Sequence, residues 1–233
     1  MENYFKSPHL AGYLDVSAIP RKRQKLRYLA PDGSERPFAL YYPDRGEGPV
    51  PLIVNICGGG WYYGNPTSIH LGRALHCSVA RGYAFASLAC TSSGEKKFPY
   101  QIQEARQALR HLRRRAGELN LDPDFFALWS SSSGGHLSLL AALTRGDPYF
   151  DAQPDSEISD QISAVAAVYP CCRLDATVED YRAIGLEPAN FRSGADCAEA
   201  IFLGALAEDS PELCRLAAPI THVRPDGPPL FLL

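Results

Sequence analysis

The chain has 233 residues, of which 45% are hydrophobic and 21% charged, and a formal net charge of −3. That length allows one sizeable α/β domain, and the near-neutral charge excludes a global basic field for nucleic acid or an anionic membrane surface. No apolar run approaches the roughly 20 residues that span a bilayer, and the stretch from Met1 to Lys6 lacks a basic region followed by an apolar core, so neither a membrane span nor a secretory signal is expected.

Seven cysteines form an odd set, and most lie in apolar segments (Cys57, Cys90, Cys171, Cys172). That usage suits reduced thiols in a cytoplasm better than a disulfide framework. No cysteine pair or histidine cluster has zinc-ligand spacing, so no metal is expected.

In chain order, residues 1–20 read as irregular. The basic run from Arg21 to Arg27 enters a strand ending near Leu29, read as a charge-guarded edge rather than a phosphate site. Pro31-Asp32-Gly33 is a turn, and a second strand runs from Arg36 to Tyr42. The β-branched run Pro51 to Cys57 predicts a buried strand that leads directly into Gly58-Gly59-Gly60-Trp61. Thr67 or Ser68 is expected to cap a helix through Leu71, Ala74, Leu75 and Val79, closed by Gly82. Tyr83 to Cys90 is the next strand. From Pro99, apolar residues at spacings of three and four (Ile102, Ala105, Leu109, Leu112, Ala116, Leu119) predict an amphipathic helix. Its other face carries Arg106, Arg110, Arg113 and Arg114, read as solvated. Asp122-Pro123-Asp124 is expected to separate it from the next strand. After an acidic loop from Pro148 to Asp160 come a strand over Ile162 to Tyr169, a mixed segment over 173–221 suited to a lid or pocket wall, and a buried strand over Pro228 to Leu233. Alternating strands and helices argue for a single, mostly parallel sheet covered on both faces.

The stretch from Trp129 to His136 organises this scheme. An apolar run (Phe125 to Trp129), four serines and two glycines precede a helical pattern, which is the sequence form of a nucleophile elbow. The serine run leaves the register open by one position. Gly134 and Gly135 favour Ser132, because both glycines then fall on the tight side of the turn. A serine hydroxyl needs oxyanion donors and a base. The donors are the N–H of Ser133, at a helix N-terminus, and those of Gly59 and Gly60. Trp61 is expected to anchor the glycine loop, and Trp61, Tyr62 and Tyr63 to border the substrate. For the base, His136 is read as packing under the elbow, His222 as lying at the wrong end of the sheet, and His9, His70, His76 and His111 as irregular or surface positions.

Taken together, Cys57 to Trp61, Arg81-Gly82-Tyr83-Ala84, Phe98 to Ile102, Ser132 to Leu137 and Ala218 to Val223 resemble the α/β-hydrolase superfamily. Within it they look closest to the HGGG-type esterases of the acetyl-xylan, feruloyl esterase-like and prolyl-oligopeptidase-like group. The resemblance implies an α/β-hydrolase fold, Ser132 as nucleophile, no cofactor, and hydrolysis of a small-molecule, short-chain ester such as an acetyl ester. Three departures stand out. Cys57 occupies the place of the family's loop histidine, Ser130 replaces an elbow glycine with little expected effect, and the acid and histidine segments that the family carries later are missing from these residues. A truncated chain with little activity of its own is the expectation, with a non-catalytic ligand binder and a serine peptidase as the alternatives.

Overall fold

The computed structural model describes residues 15–19, 21–44, 48–68, 71–186 and 194–233. His9 and His70 lie outside them. Among the described residues seven strands form one sheet: β1 Lys22–Leu29, β2 Glu35–Tyr41, β3 Val50–Ile56, β4 Ala84–Leu88, β5 Leu121–Ser131, β6 Ala164–Val168 and β7 Leu230–Leu232. Their order is β1-β2-β4-β3-β5-β6-β7. The β1–β2 and β2–β4 pairs are antiparallel, and β4, β3, β5, β6 and β7 run parallel. The helices are α1 Gly72–Ala80, α2 Tyr100–Arg114, α3 Ser132–Leu143, α4 Thr177–Ala183, α5 Ala198–Leu203 and α6 Pro211–Ala217. This is the mostly parallel α/β architecture expected from the alternation of patterns. No helix among the described residues is long and apolar enough to cross a membrane.

The inner strands explain the layering. Leu52, Val54 and Ile56 on β3, all five residues of β4, and Phe126 and Leu128 on β5 are buried. Strands covered on both faces read as continuous apolar runs, which is why 51–57 and 83–90 stood out. Helix α3 is buried from Ser133 to Leu143, because it crosses the middle of the sheet beneath other elements.

Four expectations need correction. The first helix begins at Gly72 with no side-chain cap, so neither Thr67 nor Ser68 serves as its cap. Strand β5 begins at Leu121 and carries Asp122-Pro123-Asp124 within it, at a register irregularity against β3 between the Val50–Leu121 and Leu52–Phe126 pairs. Proline is tolerated there because an irregular ladder does not need its N–H. The final strand is exposed, not buried: Phe231 retains 61% of its surface, since β7 pairs only with β6 and forms the sheet edge.

The fourth concerns the arginine face of α2, which is exposed as expected at Arg114 but not along the rest of the stripe. Arg106 and Arg110 are buried, and the 148–163 segment folds over them. Arg110 makes a bidentate pair with Asp151 and reaches Asp160 at 3.1 Å. Arg106 donates to Thr144 Oγ1 at 3.0 Å, with a second guanidinium nitrogen 3.7 Å from both carboxylates. Arg113 caps the carbonyls of Ser159, Gln161 and Pro123 and lies over the Phe126 ring. His111, read as a surface position, is half-buried beside Tyr28 and Phe38, and burial together with Arg115 and Arg114 lowers its pKa.

Candidate active site

The site is built where β3 and β5 end side by side. Strand β5 arrives extended at Ser131 (φ −123°, ψ 156°), the chain turns at Ser132 with φ +54°, and α3 begins at that residue. A non-glycine residue in the left-handed region costs on the order of 1–3 kcal/mol and persists only where its surroundings fix it. Ser132 is half-buried, and no hydrogen bond is made by its hydroxyl among the described residues.

The glycines supply the room this turn needs. A Cβ on Gly134 would overlap the Ile56 carbonyl oxygen and lie 2.9 Å from Gly58 N. A Cβ on Gly58 would lie 2.6 Å from Ser131 O and 3.6 Å from Ser132 Cβ. The glycine loop therefore passes directly against the elbow. Gly59 (φ +147°) and Gly60 (φ +61°) both take positive φ, which lets the loop turn back there.

Hydrogen bonds fasten the loop. Ser130, expected to matter little, is fully buried. Its hydroxyl accepts from the Ile56 N–H at 2.9 Å and from the Ser138 hydroxyl at 2.9 Å, bonds that a glycine there could not form. The Gly59 N–H donates to Ser133 Oγ at 3.0 Å. Two of the three expected oxyanion donors thus differ from the third in their surroundings: the Ser133 amide lies in the first turn of a helix, where N–H groups lack intrahelical partners, and the Gly60 amide has no partner among the described residues, whereas the Gly59 amide is engaged. The Cys57 thiol is buried, 3.6 Å from Ser87 Oγ, and burial pushes it up to about 11, so it is a neutral packing group at neutral pH.

Trp61 sits in the core with 5% of its surface exposed, so it offers little area to a substrate. Its carbonyl accepts from the Ser93 N–H at 2.9 Å, its ring stacks on Phe202 of α5 at 4.7 Å, and its indole N–H donates to His136 Nδ1 at 3.0 Å. Tyr62 is half-buried over Gly94, and Tyr63 is the more open of the two. Phe202 drew no attention in the sequence. Its contacts with Trp61, His136 and Phe98 give it a role, and periodicity carries no signal for that.

His136 lies under the elbow. Nε2 donates to Ala217 O at 2.7 Å while Nδ1 accepts from Trp61, so both ring nitrogens are committed and neither faces Ser132. Burial lowers its pKa to about 4, with the Ala217 bond opposing that shift. His222 pairs with Leu216 O and packs on Phe150, away from the elbow. The low His136 value makes a pH prediction. The unfolded chain protonates this histidine near 6.5 and the folded chain only near 4. Stability from this group is therefore fully present above pH 6.5 and is lost as pH falls towards 4, by about 3 kcal/mol in all. Urea unfolding of His136→Phe at pH 7 and 4.5 should show a smaller drop across that window than the unsubstituted protein. An equal drop would locate the titration elsewhere.

The comparisons agree with this geometry. A BD-FAE family model matches residues 38–233. Over 204 residues, 80% of this chain, the sequence is 31% identical to the probable carboxylic ester hydrolase LipM of Mycobacterium tuberculosis, and over 185 residues, 79% of the chain, it is 28% identical to the esterase LipC of the same organism. The chain spans less than half of those relatives, 41% of LipM and 43% of LipC. Among solved structures, a truncated carbohydrate esterase from gut microbiota superposes with a TM-score of 0.78 over 95% of this chain and 79% of its own, at 21% identity. The carboxylesterase EstE1, from a metagenomic library, gives 0.69 over 91% of this chain and 68% of its own, at 20% identity. With the elbow, the glycine loop and the sheet order all in place, the chain belongs to the BD-FAE family and has the α/β-hydrolase fold.

Proposed function

We propose that the protein is a serine carboxylesterase that cleaves short-chain, acetyl-type esters through an acyl-enzyme on Ser132, with the ester carried on a carbohydrate. The observation that carries this reading is the left-handed Ser132 turn set against the Gly58–Gly60 loop. In the reaction, Ser132 Oγ bonds to the ester carbonyl carbon while its proton passes to a base. The carbonyl oxygen becomes an anion facing backbone N–H groups, the C–O bond to the alcohol breaks, and the alcohol leaves with that proton. Water then repeats the attack on the acyl-serine. The names of the relatives support the ester, and the name of the first solved neighbour supports the sugar. An odd set of seven cysteines, most of them in apolar segments, supports a reducing compartment such as the cytoplasm.

A second reading, a non-catalytic relative that keeps the cleft for ligand binding, is favoured by one observation: among the described residues no imidazole reaches Ser132. A fluorophosphonate probe separates the two. Mass spectrometry should find the label on Ser132 and none on Ser132→Ala. A folded chain whose serine stays silent supports the binder, and label at another residue removes Ser132 from the nucleophile's place. Turnover of p-nitrophenyl acetate against an aminoacyl anilide tests ester over peptide chemistry.

A further inference from the structure

The serine run holds more than a nucleophile. Two of its hydroxyls accept from the strand end that leads into the glycine loop and from the loop itself. Ser130 Oγ takes the Ile56 N–H where β3 stops, and Ser133 Oγ takes the Gly59 N–H in the middle of the turn. Both side chains are buried, at 0% and 2% exposure, so the Ser130 bond is shielded from water and the Ser133 bond is shielded on its hydroxyl side. Between the two staples lies Cys57, whose thiol faces Ser87 and Asn55, away from the Gly59 amide that Ser133 holds.

We propose that Ser130 and Ser133 are positioning residues that set the glycine loop in register with Ser132, and that Ser133 holds the Gly59 amide out of the oxyanion site, leaving the N–H groups of Gly60 and Ser133 as its donors. The inference rests on the esterase reading of Ser132 for its purpose, though the staples themselves do not depend on it. The chemistry is consistent. An amide proton already shared with a hydroxyl oxygen is a poor donor to a second acceptor, whereas the Gly60 amide is uncommitted and the Ser133 amide opens a helix whose dipole favours negative charge. The loop's own flexibility calls for such staples, since three consecutive glycines have the largest conformational freedom to lose.

The test uses the whole 233-residue chain, isotopically labelled, with Ser133→Ala, Ser133→Thr, Ser130→Ala and Ser132→Ala variants. Amide hydrogen exchange at Gly59 should accelerate about tenfold in Ser133→Ala, the loss expected from one hydrogen bond. It should stay near the original rate in Ser133→Thr, which keeps the hydroxyl. Exchange at Ile56 should accelerate in Ser130→Ala alone. Exchange at Leu52 and Val54 in the core of β3 reports whether each variant is folded. Fluorophosphonate modification of Ser132 should slow about tenfold in Ser133→Ala and recover in Ser133→Thr, an effect that a merely structural bond would not produce. Equal Gly59 protection in Ser133→Ala and the unsubstituted chain overturns the staple. Faster modification in Ser133→Ala overturns the assignment of donors, since it would mean that the freed Gly59 amide joins the oxyanion site. Failure of the esterase reading looks different: Ser132→Ala would then take the label as the unsubstituted chain does, while its Gly59 protection stays intact.

Discussion

Gly134→Ala is expected to destabilise the protein by at least about 3 kcal/mol, at the upper end of what an added methyl costs in a packed interior. The atoms that a Cβ would meet are the Ile56 carbonyl oxygen, Gly58 N at 2.9 Å and Cys57 C at 3.0 Å, all of them backbone. A side chain could rotate away, but these atoms cannot. Ile56 closes β3, which is hydrogen-bonded to β4 on one side and β5 on the other, and its N–H is fastened to Ser130. On the opposite side of the contact, α3 is buried from Ser133 to Leu143, so shifting the helix outward opens the core. For a domain of this size each kcal/mol lowers the melting temperature by roughly 2–4 °C, so thermal unfolding followed by circular dichroism should show a fall of roughly 6–12 °C. Gly117→Ala is the matched control. Nothing lies within 4 Å of its added methyl and its φ is not positive, so its effect should fall between neutral and about 1 kcal/mol stabilising. If Gly134→Ala melts with the unsubstituted protein, the loop and the elbow are not in contact as described.

That clash also shows what the sequence discloses and what it withholds. Gly134 and Gly135 marked the tight side of the turn in the primary structure, because small residues are needed wherever two backbones meet. Which backbone approaches is a tertiary fact, and nothing near Gly134 in sequence announces Ile56. The same division runs through the molecule. Strands β3, β4 and β6 were legible to within about two residues, since each is a nearly continuous apolar run, broken only by Asn55 and Ser87. Apolar composition misled at β7, because it reports a preference for burial and not whether a covering layer is present. Ser130 read as merely small and Ser133 only as a backbone donor, since a hydroxyl's acceptor role depends on an N–H more than seventy residues earlier in the chain. His136 was placed correctly under the elbow by its helical offset from Ser132, yet its partners Trp61 and Ala217 come from the distant glycine loop and from the end of α6. The arginine stripe of α2 is the clearest failure. Periodicity states which residues face away from the sheet and says nothing of a later segment folding over that face.

The stripe accordingly supplies the other large effect. Asp160→Ala should cost about 3–5 kcal/mol, the usual result of removing one partner from a buried ion pair. Asp160 faces three guanidinium groups, those of Arg110 at 3.1 Å, Arg145 at 3.4 Å and Arg106 at 3.7 Å. Arg145 is half exposed and can be hydrated, but Arg106 has no exposed surface and burial already works to lower its pKa, with Asp160 and Asp151 opposing. Without Asp160, Asp151 alone must balance both Arg106 and Arg110. The exposed pair Arg115–Glu118 is the control, and Glu118→Ala should change stability by less than about 1 kcal/mol. Asp151 adds a pH signature. Burial tends to raise its carboxyl, but the Arg110 and Gln153 hydrogen bonds outweigh that and hold it below the ordinary value. Its contribution is therefore present above about pH 4 and is lost as pH falls through the folded value, so Asp151→Asn should flatten the acid limb of the stability curve. A double-mutant cycle decides whether the cost of Asp160→Ala is that of stranded charge. Asp160→Leu together with Arg106→Met leaves the Arg110–Asp151 pair intact and no isolated cation in the interior, so the double variant should be more stable than Asp160→Leu alone. If the two losses simply add, Arg106 reaches water in solution and the network does not hold the 148–163 segment over α2.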